Sequence, residues 1–389
     1  MTMRKCISAP GTSRRDFLKR GAAGLVLATF PKKLAGPTLS GAGTKEHPIA
    51  LRMQGSFMVG GTVITAPNGD TFHGDHAYVQ NQIPPQAREL PLVMWHGGGQ
   101  FSKTWESTPD GRDGYQNIFL RRGFATYILD QPRRGRAGRS TVGTTIPNAA
   151  PSESNTFNVF RLGVWLPPAP PEFFPNVQFP RTQEALDQYW RQQTPNTGPE
   201  DISPEIRNLQ AGTVAALFGK IGPGILLTHS NSGQYGWVTA MKVPDLVKAI
   251  IAYEPAAFSY REDEVPSPVP TQDARVAAIT APQLVSAADF QKLTTIPIQI
   301  IYGDNIDFTT PSPIFGVELW RVVTQRAQQF VDAVNRRGGD AQILYLPTVG
   351  LHGNTHFPFS DLNNVQVANL LSQYLHERGL DKRKEKGED

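Results

Sequence analysis

The chain of 389 residues contains one cysteine, Cys6, so disulfides cannot hold it together and its stability must come from core packing. It has no stretch of roughly 18 uninterrupted apolar residues, which excludes a helix spanning a membrane. It has no repeat of fixed period, which excludes a solenoid. Charge of one sign is also missing, since 38 Lys and Arg stand against 34 Asp and Glu. What the sequence does have is length and 39% hydrophobic content. These suit a soluble globular chain with a large core, as one α/β domain with insertions or as two smaller domains.

The formal charge of +4 belongs to the N-terminus. There "TSRRDFLKR" runs into the short apolar "GAAGLVLATF", which reads as a twin-arginine export signal over residues 1–42, processed near Ala42. Eight of the basic residues (Arg4, Lys5, Arg14, Arg15, Lys19, Arg20, Lys32 and Lys33) and one acid, Asp16, lie in it. The remainder therefore carries 30 basic and 33 acidic residues, a formal charge of −3. That balance gives no reason to expect a nucleic-acid partner. Cys6 leaves with the signal, so the mature chain is free of cysteine in an oxidising compartment. The expected partner of residues 1–42 is the twin-arginine export machinery, and the expected location is periplasmic or secreted.

Beyond a β-rich entry at about 50–83, short apolar runs alternate with helical patterns. The runs are "LPLVMWH" (90–96), "FATYILD" (124–130), "GILLTHS" (224–230), "VKAIIAYE" (247–254), "IPIQIIYG" (296–303) and "AQILYLP" (341–347). Continuous aliphatic runs of this length fit strands covered on both faces, as in a mostly parallel sheet. Helices are expected at about 114–122, 204–220, 233–242, 315–337 and 361–378, the last started by Ser360 and Asp361. The fold class is thus α/β, an open sheet with right-handed crossovers. About ninety residues separate Asp130 from Gly224, far more than a crossover needs. The Phe-, Trp- and Pro-rich part of that stretch reads as a cap over the C-terminal edge of the sheet, because active-site lids are the usual reason for a long ordered loop. The expected organisation is a core of 43–139 and 206–380, a cap of 140–205, a smaller insert at about 258–292, and a solvated, disordered tail of 381–389.

The stretch "LLTHSNSGQYG" leaves a buried strand through small polar residues and enters a helix. A serine on such a turn is pushed clear of the backbone, next to the free N–H groups of the helix. Ser230 is the candidate nucleophile, although Thr228 and Ser232 stand where a Gly-x-Ser-x-Gly elbow has glycines. An ordinary helix-capping serine is the plainer alternative. Upstream, "VMWHGGGQ" ends a strand in three glycines, whose backbone N–H groups can approach a ligand. Gly98 or Gly99 would donate one oxyanion bond and Asn231 the other. His352 and His356, just before the last helix, are the candidate bases. His229 is too close to Ser230 in sequence to act on it and reads as a packing or turn residue, while His96 would hold the glycine loop. His73, His76 and Asp75 read as a polar hairpin, and no metal site is expected. For the orienting carboxylate, Glu254 ends one strand and Asp307 follows the next, with Asp304 a weaker choice. Topology alone leans to Asp307.

The stretches 96–140, 227–237, 248–255 and 352–357 together resemble the α/β-hydrolase superfamily, and within it a group of bacterial serine esterases related to esterase 713. The resemblance covers most of the mature chain. It implies an α/β-hydrolase fold with a cap insertion, the acid at Glu254 and the base at His356, and it makes a homodimer a reasonable expectation. One departure stands out: the group's founding type has adjacent cysteines in the oxyanion loop where this chain has Gly99 and Gln100.

The expected function is cleavage of a small-molecule carboxylic ester through Ser230, His356 and Glu254, a triad that needs no cofactor. An amidase or perhydrolase on the same triad, or a non-catalytic exported binding protein, are the alternatives. Cap aromatics such as Phe157, Phe160, Trp165 and Tyr189 would either line an apolar pocket or form the cap's own core. Arg133, Arg134 and Arg136 would either recognise an acidic group or, as the plainer expectation, form a solvated turn that anchors the cap.

Overall fold

The computed structural model describes residues 48–68, 70–138, 140–142, 153–191 and 202–383. Its centre is an eight-stranded sheet: β1 (Met53–Val59), β2 (Ala77–Ile83), β3 (Leu92–Trp95), β4 (Thr126–Asp130), β5 (Gly224–His229), β6 (Val247–Tyr253), β7 (Ile298–Tyr302) and β8 (Ala341–Tyr345). The order across the sheet is β1-β2-β4-β3-β5-β6-β7-β8. β1 and β2 pair antiparallel, β2 joins β4 antiparallel, and every later neighbour is parallel. The six apolar runs of the sequence are β3 to β8, each trimmed by a residue or more at its ends.

The central strands are buried on both faces. All of β3, β5 and β7 is buried, and β6 exposes only Lys248. Burying each such aliphatic side chain contributes about 1.5–3 kcal/mol, which is why these strands need no polar alternation. Two apolar layers result. One packs α4 (Pro204–Ile221), α5 (Ser232–Lys242) and α6 (Phe315–Asn335) on one face through Trp237, Phe258 and Phe330. The other packs α1 (Tyr115–Arg121) and α7 (Asn364–Glu377) on the opposite face through Trp105, Tyr115 and Phe359.

The excursion after β4 contributes α2 (Glu153–Val159), a two-residue strand pair (Gly163–Val164 with Glu172–Phe173) and α3 (Gln183–Arg191). Phe157, Trp165 and Phe173 pack together, and Tyr189 meets Phe160, Phe179 and Phe357, so these aromatics form a local core. The segment is tied to α6 and to the loop that follows β8: Trp320 donates to Val159 O at 2.6 Å, and Gln178 N donates to Gly353 O at 2.8 Å. Among the described residues no helix is long and apolar enough to cross a membrane. The expected export signal lies outside the described residues, as do parts of the expected cap. Asp381–Arg383, assigned to the tail by sequence, return to the body of the chain, where Arg383 bridges Arg88 and Asp381 pairs with Arg88 at 3.3 Å. The rest of the tail lies outside the described residues.

Candidate active site

Ser230 follows β5 directly and has φ +52°, in the left-handed region. A non-glycine residue held there costs on the order of 1–3 kcal/mol and persists only where its surroundings enforce it. They do so here. Ser230 N donates to Tyr253 O at 2.9 Å, and the Ser232 hydroxyl accepts from His229 N at 2.9 Å while lying 3.1 Å from Trp95 O. Ser232 therefore braces the turn with its side chain where a glycine would leave it open. The close approach needed by α5 falls one residue later, at Gly233, where a Cβ would lie 2.6 Å from Pro255 Cβ.

The glycine loop after β3 lies against this turn. A Cβ on Gly97 would be 2.8 Å from His229 Nδ1 and 3.0 Å from Ser230 Cβ, and one on Gly98 would be 3.4 Å from Asn231 Cβ. Only a residue without a side chain fits at Gly97. His96 fixes the loop from behind: its Nδ1 donates to Gly97 O at 2.8 Å, which leaves Nε2 to accept from Gln131 N at 3.3 Å.

His356 is fully buried, and its Nδ1 donates to Glu254 Oε2 at 2.9 Å. Its backbone is held at both ends, N–H to Phe160 O at 3.1 Å and carbonyl from His229 Nε2 at 2.8 Å. The ring stacks on Phe160, with centroids 4.9 Å apart, and tilts against Trp320. Its Nε2 is buried with no hydrogen-bond partner among the described residues. With Nδ1 committed to the carboxylate, Nε2 carries the lone pair of the neutral ring. Burial holds the His356 pKa below the ordinary value against the opposing bond to Glu254. The ring is accordingly neutral near pH 7 and able to take a proton.

Glu254 also has positive φ, +51°, and is fully buried. Its Oε2 meets His356; its Oε1 accepts from Gly303 N and from the guanidinium of Arg161. Burial would raise this carboxyl, but Arg161 and His356 outweigh it and hold it below the usual range. Arg161 comes from the excursion after β4. It is 3% exposed, donates from Nε to Asp304 O at 2.9 Å, and lies over the Trp320 ring at 4.8 Å.

A solved structure described as "The Atomic Resolution Structure of a Novel Bacterial Esterase" matches this chain at 30% identity, covering 86% of this chain and 98% of that one, with a TM-score of 0.68. The chain belongs to the α/β-hydrolase esterases. A fungal protein named "Probable secreted lipase phiG" is 26% identical over 333 residues, 80% of this chain and 88% of its own length. No protein-family model matches.

In this α/β-hydrolase esterase Ser230 lies against Gly97 and Asn231 against Gly98, with Gly99 next in the same loop, and Glu254 and His356 are hydrogen-bonded to each other. Asp307 and His352 are elsewhere. Asp307 is exposed and accepts from Thr309 N and Thr310 N, bonds that draw its pKa down to about 2. His352 is exposed and lies 3.5 Å from Asp304. His229 does more than pack, since its ring carries the backbone of His356. The arginine loop departs from the sequence expectation of a solvated turn: Arg133 and Arg134 are buried, Arg133 pairs with Asp75 at 2.7 Å, and Arg136 pairs with Asp130 at 2.9 Å. Asp75 belongs to this pairing and not to a cluster with His73 and His76.

Two contributors carried no signal that sequence reasoning used. Arg161 sits in "NVFRLG", where nothing marks it from other surface arginines. Asp361, expected to start the last helix, instead accepts from Thr355 N at 2.7 Å, Thr355 Oγ1 at 2.8 Å and Asn354 Nδ2 at 3.0 Å, bracing the loop that carries His356. Burial pushes its carboxyl up to about 7. A spacing of five residues from the histidine in a loop of small polar residues was the available hint.

Proposed function

We propose that this chain is an exported serine esterase in which Ser230 is the nucleophile, His356 the general base and Glu254 the orienting acid. His356 Nε2 takes the Ser230 proton as the hydroxyl oxygen attacks the ester carbonyl. Backbone N–H groups of Asn231 and of Gly98 or Gly99 hold the oxyanion, each such donor being worth about 2.7–4 kcal/mol of barrier in comparable enzymes. The protonated ring then passes the proton to the departing alcohol, and water releases the acid through the same base. The observation that carries this reading is the His356–Glu254 bond at 2.9 Å combined with an unpartnered His356 Nε2. Further support comes from the positive φ of Ser230 and the glycine loop packed against it. Residues 1–42 would take the folded enzyme across the membrane by the twin-arginine route.

The test is hydrolysis of p-nitrophenyl esters from acetate to octanoate by the processed protein, beside Ser230→Ala, Glu254→Gln and Asp307→Asn. Activity should disappear with Ser230→Ala, collapse with Glu254→Gln and survive Asp307→Asn. Turnover that persists in Ser230→Ala would overturn the mechanism, and loss confined to Asp307→Asn would move the acid to the later strand.

A further inference from the structure

Next to the nucleophile turn is a cavity of about 300 Å³ that the ester-hydrolysis chemistry leaves unassigned. Asn231 forms its inner end; Ala256, Ala257, Ile279 and Pro282 supply apolar wall, and Arg207 and Gln283 supply polar groups. Two of its polar residues keep hydrogen-bonding groups without a partner among the described residues. Arg207, half-buried on α4, donates to Ile202 O but makes no ion pair among the described residues. Gln283 is 9% exposed, and its Oε1 is buried with no hydrogen-bond partner. Burial weighs against the charge of Arg207 and the nearby Glu205 carboxylate offsets this only in part, so an anion seated in the cavity would be favoured.

The cavity is also linked to the turn. Gln283 Nε2 donates to Gln234 Oε1 at 2.7 Å, Gln234 Nε2 donates to Asn231 Oδ1, and Asn231 Nδ2 donates to Tyr235 Oη at 3.0 Å. A row of three side-chain amides thus joins the far wall to the residue after Ser230. Since each amide is orientated by the next, Gln283 is left presenting an acceptor.

We infer that this cavity is the subsite for a carboxylate carried by the substrate, so that the ester cleaved at Ser230 is a small aliphatic one with a free acid group on its acyl or alcohol part. Arg207 takes the carboxylate, the alanine, isoleucine and proline wall takes the short chain, and Gln283 Oε1 accepts from a hydroxyl or amide N–H on the same molecule. This rests on the esterase reading for the reaction, though not for the binding.

The experiment compares kcat/KM in a pH-stat for two pairs, monomethyl glutarate against methyl pentanoate and 4-acetoxybutyrate against butyl acetate. Wild type should favour the acid of one pair by about tenfold or more, the scale of a charge-assisted hydrogen bond; which pair responds identifies the acyl or the alcohol side. Arg207→Gln should bring the ratio towards one, and Arg207→Lys should keep part of it. No preference in either pair, or a preference unchanged in Arg207→Gln, would overturn the inference. If no ester is turned over, the esterase reading fails separately, and calorimetry with glutarate on Ser230→Ala protein still decides the subsite. Binding that weakens at least tenfold on adding Arg207→Gln supports it; absence of binding, or binding indifferent to Arg207, refutes it.

Discussion

Replacing Arg161 with glutamine removes the one cation that pairs with the Glu254 carboxylate among the described residues, and both members of that pair are almost wholly buried. Breaking such a pair from one side costs about 3–5 kcal/mol, because the remaining charge stays in a poorly solvating setting. Glu254 keeps His356 and Gly303 N, which places the expected loss at the lower end, about 3 kcal/mol. At about 2 °C per kcal/mol for a domain of this size, the melting temperature should fall by about 6 °C. The more discriminating consequence is in pH. The positive charge of Arg161 lowers the pKa of both Glu254 and His356. Without it both rise, so the acid limb of kcat/KM, which reports protonation of the free base, moves to higher pH. Arg161→Lys keeps the charge but not the fork that reaches both Glu254 and Asp304, so its limb should stay nearer wild type while stability still falls. The assay is a pH series of p-nitrophenyl butyrate hydrolysis with a melting curve at each pH. A lowered melting temperature with an unmoved acid limb would refute the electrostatic role and leave Arg161 as a structural strut.

Further outcomes follow from neighbouring residues. Glu254 and His356 both have folded pKa values below their unfolded ones, so each contributes stability that is present above its unfolded pKa and lost as pH falls through the folded value. Denaturant midpoints should therefore drop on acidification below about pH 6.5 and again below about 4.5, and Glu254→Gln should flatten the lower part of that drop. Glu254→Gln should also lower kcat by on the order of 10⁴ by removing the anion that supports the imidazolium, whereas Asp307→Asn should leave kcat within about twofold, as for most surface changes. Gly233→Ala forces a contact with Pro255 and should destabilise by about 1–3 kcal/mol while lowering kcat, measured by melting and steady-state rates. Asp361→Ala leaves Thr355 N and the Thr355 hydroxyl without their acceptor, while Asn354 Nδ2 keeps Asn363 Oδ1, and should cost about 1–3 kcal/mol for each group left unpaired, together with most activity, in the same two assays.

The sheet was legible because its strands are apolar throughout: "GILLTHS" and "VKAIIAYE" admit little besides a covered strand. The turn at Ser230 was legible from its small residues, although Ser232 proved to be a brace and not a mere stand-in for glycine. Harder were contacts that depend on chain path. Asp307 has the position along the chain that a triad acid commonly has, yet it faces solvent; the strand end that approaches His356 belongs to Glu254, which residue order alone did not favour. Arg161 was hidden for the same reason, since its distance from Glu254 is set by the fold of the excursion after β4 and not by any local pattern. The arginine loop misled in the opposite sense: its composition suggested solvent, but Asp75 draws Arg133 inward, while Arg136 reaches the buried Asp130 from the surface.

The measurement that bears most directly on the central claim is covalent labelling of the processed protein with a fluorophosphonate, followed by peptide mapping. A serine activated by a neutral buried histidine reacts readily, and an ordinary helix-capping serine does not. The account predicts one stoichiometric adduct on Ser230, abolished in His356→Ala and strongly slowed in Glu254→Gln. No adduct on the folded protein, or one on another residue, would contradict it.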